Sequence, residues 1–547
     1  MRDFGKIGRI ALGVSVLSAG ITVSESARAN GFETLANGTE QMARGGAWLA
    51  RASDPLATFY NPAALSRNGS GASVTVNLFF QKNCFQRLGP GGKPVQIGTD
   101  VEATYGNACN DVKPFPNPQI AFQYRVSDKL GIGIAVMGPS ANGTAEYPTT
   151  QPLTYTKTNQ LSGAQQTLSG AYPSGSRFIL TQLDAKIIWP QFAIGYEVAP
   201  RLRFGASFIW GIALLKFGNV SMGQNGSQVN NKGTLQETGN LELGATVTGK
   251  DLFVPGFVVS GLYEATDNLD IAAWYHWSDS VKASGQGDIT GSLFDANITK
   301  PASTPTTNHT PDGQAKITVP QPMEARVGAR WHQPRTSEAP VEVGKRRVVD
   351  PMHDDVFDVE LDLEWSHDKQ FDTFGLTFPA NTPIFVDGGT PPPSNAAPLS
   401  NVPVNADVPH KWKDTWGFRL GGDYVAMPDK LSIRGGVWYQ SSAVDPKYLH
   451  LDFIPTQRLG LTVGGSVRLG PVDIQVGYAH VFASTLDNGG NGAINGLSGQ
   501  AGSTNKISTD GPPICPASAP NRSECAVNGG RLTSVTNVAS LGAVYRF

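Results

Sequence analysis

Along most of the chain, apolar side chains alternate with small or polar ones. Runs of this alternation, about ten residues long, recur between turn-rich stretches. Val74, Val76, Leu78 and Phe80 alternate with Ser73, Thr75, Asn77 and Phe79. Ile120, Phe122, Tyr124 and Val126 alternate with Ala121, Gln123 and Arg125, and Leu130, Ile132, Ile134 and Val136 with Gly131, Gly133 and Ala135. Successive side chains of a strand point to opposite faces, so each run predicts a strand with one apolar face. The series continues near 191–198, 201–212, 256–264, 268–278, 316–332, 355–366, 414–425, 430–440, 457–468, 472–482 and 533–547. No apolar run has the length of a membrane-spanning helix. The series as a whole predicts an all-β fold, a transmembrane antiparallel β-barrel.

Connection lengths fit that fold. Ser127-Asp128-Lys129, Ala199-Pro200, Thr266-Asp267-Asn268, Met427-Pro428-Asp429 and Gly470-Pro471 are short turns. Connections at about 81–116, 138–180, 213–255, 279–315, 367–413 and 484–530 are long and rich in Gly, Ser, Thr, Asn and Pro. Short turns at the periplasmic end and long extracellular loops are the barrel pattern.

Parity then assigns the charges. With Trp416, Phe418, Leu420 and Tyr424 facing lipid, Arg419 and Asp423 face the lumen. The same rule turns Arg434 and Arg468 inward, with Glu324, Arg326 and Arg330. It also places Asp358, Glu360, Asp362 and Glu364 on one inward face, opposite Phe357, Val359, Leu361, Leu363 and Trp365. A lipid-facing Arg or Lys at the midplane would cost about 2–4 kcal/mol, so the agreement supports the register. Four carboxylates on one strand need partners, and Arg326 and Arg330 on the adjacent strand predict cross-strand ion pairs. Arg203, Arg419, Arg434 and Arg468 lack obvious neighbours and are candidates for an anionic ligand head group.

Composition narrows the function. A formal net charge of −2 with 16% charged residues gives no support for a nucleic-acid partner. A mean hydropathy of −0.19 is compatible with a barrel, which shows lipid only alternate residues. No Cys-x-x-Cys spacing occurs, and no metal or cofactor is expected. Cys84, Cys109, Cys515 and Cys525 flank loop stretches, and two local disulfides, Cys84–Cys109 and Cys515–Cys525, are the simplest reading among three possible pairings.

The ends carry export features. Arg2, Lys6 and Arg9 precede the apolar stretch Ile10 to Val23, and Ala27-Arg28-Ala29 is a small-x-small cleavage signal. Residues 1–29 are therefore expected to be a signal peptide. Leu541, Ala543, Tyr545 and Phe547 share one strand face, an arrangement that resembles the closing strand of bacterial outer-membrane barrels. Between them, residues 30–70 are not barrel-like. Met42 to Ala50 is rich in small residues, and Pro55 and Pro62 interrupt the stretch that follows. This segment is expected to plug the barrel formed by residues 71–547.

Several segments together resemble one family. Ala43 to Leu65, ending Tyr60-Asn61-Pro62-Ala63-Ala64-Leu65, is similar to the N-terminal hatch of the FadL-like long-chain fatty acid transporters and their TodX-type aromatic hydrocarbon relatives. Asn30-Gly31-Phe32 resembles their mature N-terminus. Trp412-Lys413-Asp414-Thr415, Leu431 to Gly436, Ile454 to Arg458 and Asp473 to Tyr478 follow in the family's order, and Gly138-Pro139 through Tyr147-Pro148 resembles the region after its third strand. The resemblance implies about fourteen strands around an N-terminal plug, in the outer membrane of a Gram-negative bacterium. It implies passive uptake of fatty acids or related hydrophobic compounds, caught by extracellular loops, passed to a lumen pocket and released sideways into the membrane. It places a gate at Asn61, Pro62 and Ala63 with Gly31 and Phe32. It places an inward kink within Gly131 to Ser140, where Gly131, Gly133 and Gly138 weaken the strand and Pro139 cannot donate to the ladder. The same glycines also fit an ordinary strand end.

The expected partners are hydrophobic small molecules, outer-membrane lipids including lipopolysaccharide, and the barrel-insertion machinery acting on the C-terminal strand; the expected state is a monomer. An aromatic hydrocarbon importer of the same fold is the alternative, with a porin or adhesin behind it. A lipid hydrolase needs Ser, His and an orienting group together, and the eight histidines are scattered with no Gly-x-Ser-x-Gly beside one. The chain is accordingly read as a non-enzyme.

Overall fold

The computed structural model describes residues 35–96, 101–141, 143–158, 162–222, 242–291, 306–335, 348–384, 400–402, 404–494 and 527–547. The expected signal peptide, Gly31, Phe32 and the Cys515–Cys525 pair lie outside them. Fourteen antiparallel strands close into a barrel. They are β1 Gly71–Arg87, β2 Phe115–Arg125, β3 Leu130–Met137, β4 Gln182–Ala199, β5 Leu202–Met222, β6 Glu242–Glu264 and β7 Leu269–Ser278. The second half is β8 Glu324–Pro334, β9 Asp355–Ser366, β10 Thr415–Met427, β11 Leu431–Gln440, β12 Arg458–Leu469, β13 Val472–Ala483 and β14 Gly530–Arg546. Each pairs with its neighbour in sequence, and β14 closes on β1 from Gly71↔Arg546 to Arg87↔Gly530. Pairing of the last strand with the first is the arrangement by which a barrel removes the free edges of an open sheet.

The alternation in the sequence sets the two faces. Val463, Trp416, Val327, Leu363 and Leu541 point outward and are exposed, while Arg326, Arg330, Asp358, Glu360, Arg419 and Asp423 point inward and are buried. The parity assignments made from sequence therefore hold at these positions.

Two expectations change. The run read as one strand over 316–332 is two strands, Ala315–Val319 and β8. Pro320 and Pro322 lie between them and remove the N–H donors a continuous ladder would need. Several stretches read as loops are sheet. Beyond the barrel, β6 pairs through Gly244–Lys250 with Val281–Gly291, which pairs with Ala315–Val319, then Thr373–Thr377, then Val408–Pro409. Leu215, Phe217, Val247, Ile289, Ile317 and Phe374 pack in one buried apolar cluster there. The Gly, Thr and Ser residues in these stretches read as turn signals, but they occupy positions between the buried apolar ones. Cys84 and Cys109 are disulfide-bonded between β1 and the short strand Asn107–Cys109.

The outward assignment is testable on β12. Val463 lies mid-strand with 58% of its surface exposed. Val463→Arg should lower the unfolding free energy in phospholipid vesicles by about 2–4 kcal/mol relative to Val463→Ala. Urea titration reads this, and a difference near zero would place Val463 away from lipid.

Candidate functional site

Residues 35–68 are buried and bonded to inward side chains around the ring of strands. Two short helices, Thr39–Ala43 and Ala57–Tyr60, are followed by a 3-10 turn over Pro62–Ser66. Pro62 suits the first position of that turn, where its missing N–H has no partner to lose.

The wall is smoothed to receive this segment. Gly131, Gly195 and Gly205 are direct cross-strand partners on β3, β4 and β5. A Cβ at Gly131 would collide with the Leu65 carbonyl, one at Gly195 with the Pro62 carbonyl, and one at Gly205 with Ala63 N. On β6, the residue paired with Gly205 is Ser260, whose Oγ accepts from Ala63 N at 3.0 Å. A second row seats the first helix: a Cβ at Gly421 or Gly436 would strike the Arg44 backbone, and one at Gly464 would crowd Ala43. The glycines named from sequence on β3, Gly131 and Gly133, thus face Leu65 and Thr58 of the inserted segment.

Charge fixes the segment against β9. Arg44 Nη1 donates to Asp358 at 2.7 Å and to Asp423 at 2.6 Å. Arg51 pairs with Asp358, with Asp423 at 3.1 Å and with Glu40 at 2.8 Å. Glu360 accepts from the backbone N–H groups of Ala50 and Arg51, and Asp362 from those of Trp48 and Leu49. The expected cross-strand pairs form at the two ends of the row, Arg330 with Asp358 at 2.8 Å and Arg326 with Glu364 at 3.2 Å. The middle two carboxylates accept from the inserted backbone instead, and Glu360 also lies 3.5 Å from Arg44 Nη2.

The four arginines read as lacking neighbours all have carboxylate partners. Arg203 meets Glu264 at 2.9 Å, Arg419 meets Glu364 at 2.8 Å, Arg434 meets Glu40 at 3.0 Å and Asp423 at 3.1 Å, and Arg468 meets Asp473 at 2.6 Å and Asp350 at 2.7 Å. Glu264, Glu364 and Asp473 face inward on the strands next to their arginines, and strand pairing brings them together. Strand parity does not reveal Glu40, which comes from the inserted segment, or Asp350, from the turn before β9. Arg203 and Arg468 also sit beside short turns, at the opposite end of the barrel from the long connections.

The β3 region is where the wall is interrupted. β3 pairs with β4 from Leu130↔Tyr196 to Met137↔Trp189. The chain then leaves the ladder and rejoins it at Thr144–Glu146, opposite Gln182–Asp184. On the other side, Phe115–Gln119 pair with β1, while the β2–β3 ladder begins at Ile120. Side chains replace the ladder in this breach: Asn37 Nδ2 donates to the Gly138 carbonyl at 2.7 Å and Asn117 Nδ2 to the Pro139 carbonyl at 2.8 Å. Pro139 has no N–H to offer across it. Beside the breach, Phe59, Tyr60, Met137, Trp189, Ile209 and Trp274 form a buried apolar cluster. Phe59 stacks on Trp189 at 5.7 Å, and Trp274 Nε1 donates to the Phe59 carbonyl at 2.8 Å. The residues expected at the gate are close by: Asn61 Nδ2 donates to the Leu49 carbonyl at 2.7 Å, and Ala63 N donates to Ser260 Oγ. The aromatic cluster was not singled out from sequence, since its members are scattered over five segments.

Solved structures share this architecture. A Pseudomonas aeruginosa FadL homologue superposes with a TM-score of 0.62 at 15% identity, over 95% of this chain and 100% of its own. The P. putida toluene transporter TodX gives 0.55 at 12% identity, over 95% and 99%. The CymD monoaromatic hydrocarbon channel gives 0.52 at 12%, over 93% and 97%. No protein-family model matches the chain, and neither does the sequence of any curated protein. The chain thus has the fold of the FadL-like channels, as the hatch and the 412–482 segments led us to expect.

Two measurements test the seating of the inserted segment. Arg51→Met leaves Asp358, Asp423 and Glu40 short of a cation, and loss of one partner from a buried pair costs about 3–5 kcal/mol. Chemical unfolding should show a loss of that order; a change below about 1 kcal/mol, the range of an exposed pair, would remove Arg51 from the network. Asp54 lies in the inserted segment, and burial, then the Glu40 carboxylate, push its acid from 3.8 up to about 7. Between those values the folded protein keeps a proton that the unfolded chain has released. Stability contributed at Asp54 is therefore complete below 3.8 and lost as pH rises towards 7. Asp54→Asn should flatten the fall in stability between about pH 4 and 7, and parallel wild-type and variant profiles would contradict this.

Proposed function

We propose that the chain is a passive outer-membrane transporter of hydrophobic compounds, with residues 30–70 as its plug and the breach at 138–143 as its side exit. The observation that carries this reading is the position of the breach: it adjoins both an apolar aromatic cluster and the Asn61-Pro62-Ala63 tip of the inserted segment. A long acyl chain prefers apolar surroundings by about 0.8 kcal/mol per buried CH₂. A route past the polar outer leaflet therefore needs no energy source, only an apolar path and an opening towards lipid. In this reading the long connections face the cell exterior and collect the ligand. The plug, with Gly31 and Phe32 at its start, shifts to let the ligand reach the aromatic cluster. Gly138 and Pro139 mark where it leaves. The protein works as a monomer without cofactor or catalytic group, inserted by the barrel-assembly machinery and surrounded by outer-membrane lipid including lipopolysaccharide.

Long-chain fatty acids are the first proposed ligands and aromatic hydrocarbons the second. The second is supported by the TodX and CymD structures, whose names describe toluene and monoaromatic transport. Uptake of radiolabelled oleate and toluene by cells expressing the chain separates the two. Ala63→Cys/Ser260→Cys places two thiols at the 3.0 Å contact between plug and wall. Oxidation should abolish most uptake of the true ligand and reduction should restore it. Uptake unchanged by the tether would exclude plug displacement, and uptake of neither compound by correctly inserted protein would exclude both ligands.

A further inference from the structure

A second cluster of polar side chains lies in the long connections and plays no part in the route above. His410 follows the short strand Val408–Pro409 in the β9–β10 connection, and His450 and Asp452 belong to the β11–β12 connection. All three are buried, and one ligand atom from each lies within 4.8 Å of the others.

The hydrogen bonding of His410 is specific. Its Nδ1 is 3.0 Å from the Val408 carbonyl, which only accepts, so Nδ1 carries the proton. Nε2 then faces both oxygens of Asp452, at 3.0 and 3.1 Å. A neutral ring would aim a lone pair at a carboxylate, so a cation belongs there: either a second ring proton or a metal ion. His450 distinguishes the two. Its ring stacks on that of His410 at 4.6 Å, and neither of its nitrogens has a hydrogen-bond partner among the described residues. Leaving a buried polar atom unpaired costs about 1–3 kcal/mol. A protonated His410 satisfies Asp452 and leaves His450 without a hydrogen bond, its Nδ1 3.6 Å from Asp452; a shared metal ion satisfies all three.

Two of the three donor spacings match. With metal–ligand bonds near 2.0–2.2 Å, donors in a tetrahedral site lie about 3.3–3.6 Å apart. His410 Nε2 is 3.1 Å and His450 Nδ1 3.6 Å from Asp452 Oδ1. All three donors lie within 4.8 Å of one another, so an ion would draw the two rings together. The backbone acceptor on His410 Nδ1 is the arrangement that orients a ligating imidazole. Phe371 and Trp412 pack on His410 at 4.8 and 5.7 Å between ring centres and keep the site apolar around its donors.

We propose that His410 Nε2, His450 Nδ1 and the Asp452 carboxylate bind one divalent transition-metal ion. Two imidazoles and a carboxylate suit Zn²⁺, with water as the fourth ligand. The ion would clip two connections of the long-loop side together. The 40-residue gap between His410 and His450 gives no local motif, and the pairing becomes visible only once β10 and β11 fold back as a hairpin.

Isothermal titration of the full chain, purified folded in detergent and stripped with chelator, with Zn²⁺ alone provides the test. One equivalent should bind. Second-shell changes at metal sites cost about 10–100-fold in affinity, so removal of a ligand in His450→Ala or Asp452→Asn should cost about 100-fold or more. Heat-modifiable migration on gels checks that both variants remain folded barrels. His450→Ala is the informative variant, because it spares the His410–Asp452 contact. Co²⁺ loading of the wild type should give the visible bands of a tetrahedral site and needs no variant. Absence of stoichiometric Zn²⁺ binding, featureless Co²⁺ spectra, or undiminished binding in both folded variants would overturn the assignment in favour of a protonated His410–Asp452 pair. Uptake of oleate or toluene is not part of the readout, so the metal site and the transport reading fail or stand separately.

Discussion

The interior of this barrel depends on neutralising the carboxylates of β9. Asp358, Glu360, Asp362 and Glu364 face one lumen, and their mutual repulsion in a low-dielectric space would oppose closure. Their partners come from two directions, arginines of the neighbouring strands and the N–H groups and arginines of residues 44–51. The wall and the inserted segment are therefore electrostatically one object. The strand row carries excess negative charge, and the segment supplies Arg44 and Arg51 where that excess is largest. Any displacement of the segment must leave these contacts standing or replace them with water. This favours movement at the far end, near Asn61 to Leu65, where the contacts are single hydrogen bonds and van der Waals packing.

Much of this was legible in the sequence. Period-2 alternation located the barrel strands, and parity turned the charges of β8 to β12 to the correct side, because a misplaced charge in lipid is costly enough to be excluded. Tyr60-Asn61-Pro62-Ala63 identified the inserted segment. The cross-strand pairs of Arg326 and Arg330 were legible, but the pairs between wall and inserted segment were not. Arg434 finds Glu40, and Arg44 finds Asp358 and Asp423, across hundreds of residues, and a one-dimensional pattern holds no register between a plug and a wall. The extra sheet beyond the barrel was missed for a different reason. Its apolar faces are interleaved with Gly, Thr and Ser, and these outweighed the alternation.

The breach after Met137 has a chemical cause that the sequence does carry. Pro139 stands where neighbouring strands would exchange N–H donors, and Asn37 and Asn117 cover the carbonyls left behind. The interruption is thus satisfied at low cost. It is a stable gap in the ladder, held by amide side chains, each of which gives up one hydrogen bond if the chain moves.

The glycine row Gly131–Gly195–Gly205 bears on selectivity. Where the tip of the inserted segment rests, the wall presents bare backbone across three strands. A passage lined by side chains imposes the shape of those side chains on whatever passes. A passage lined by bare peptide planes imposes little beyond width, and its own amide groups are already engaged within the sheet. In the proposed transport, with the tip withdrawn, this strip would be a shape-tolerant surface on which flat rings and flexible chains slide equally well, and discrimination among cargoes would fall to other parts of the path.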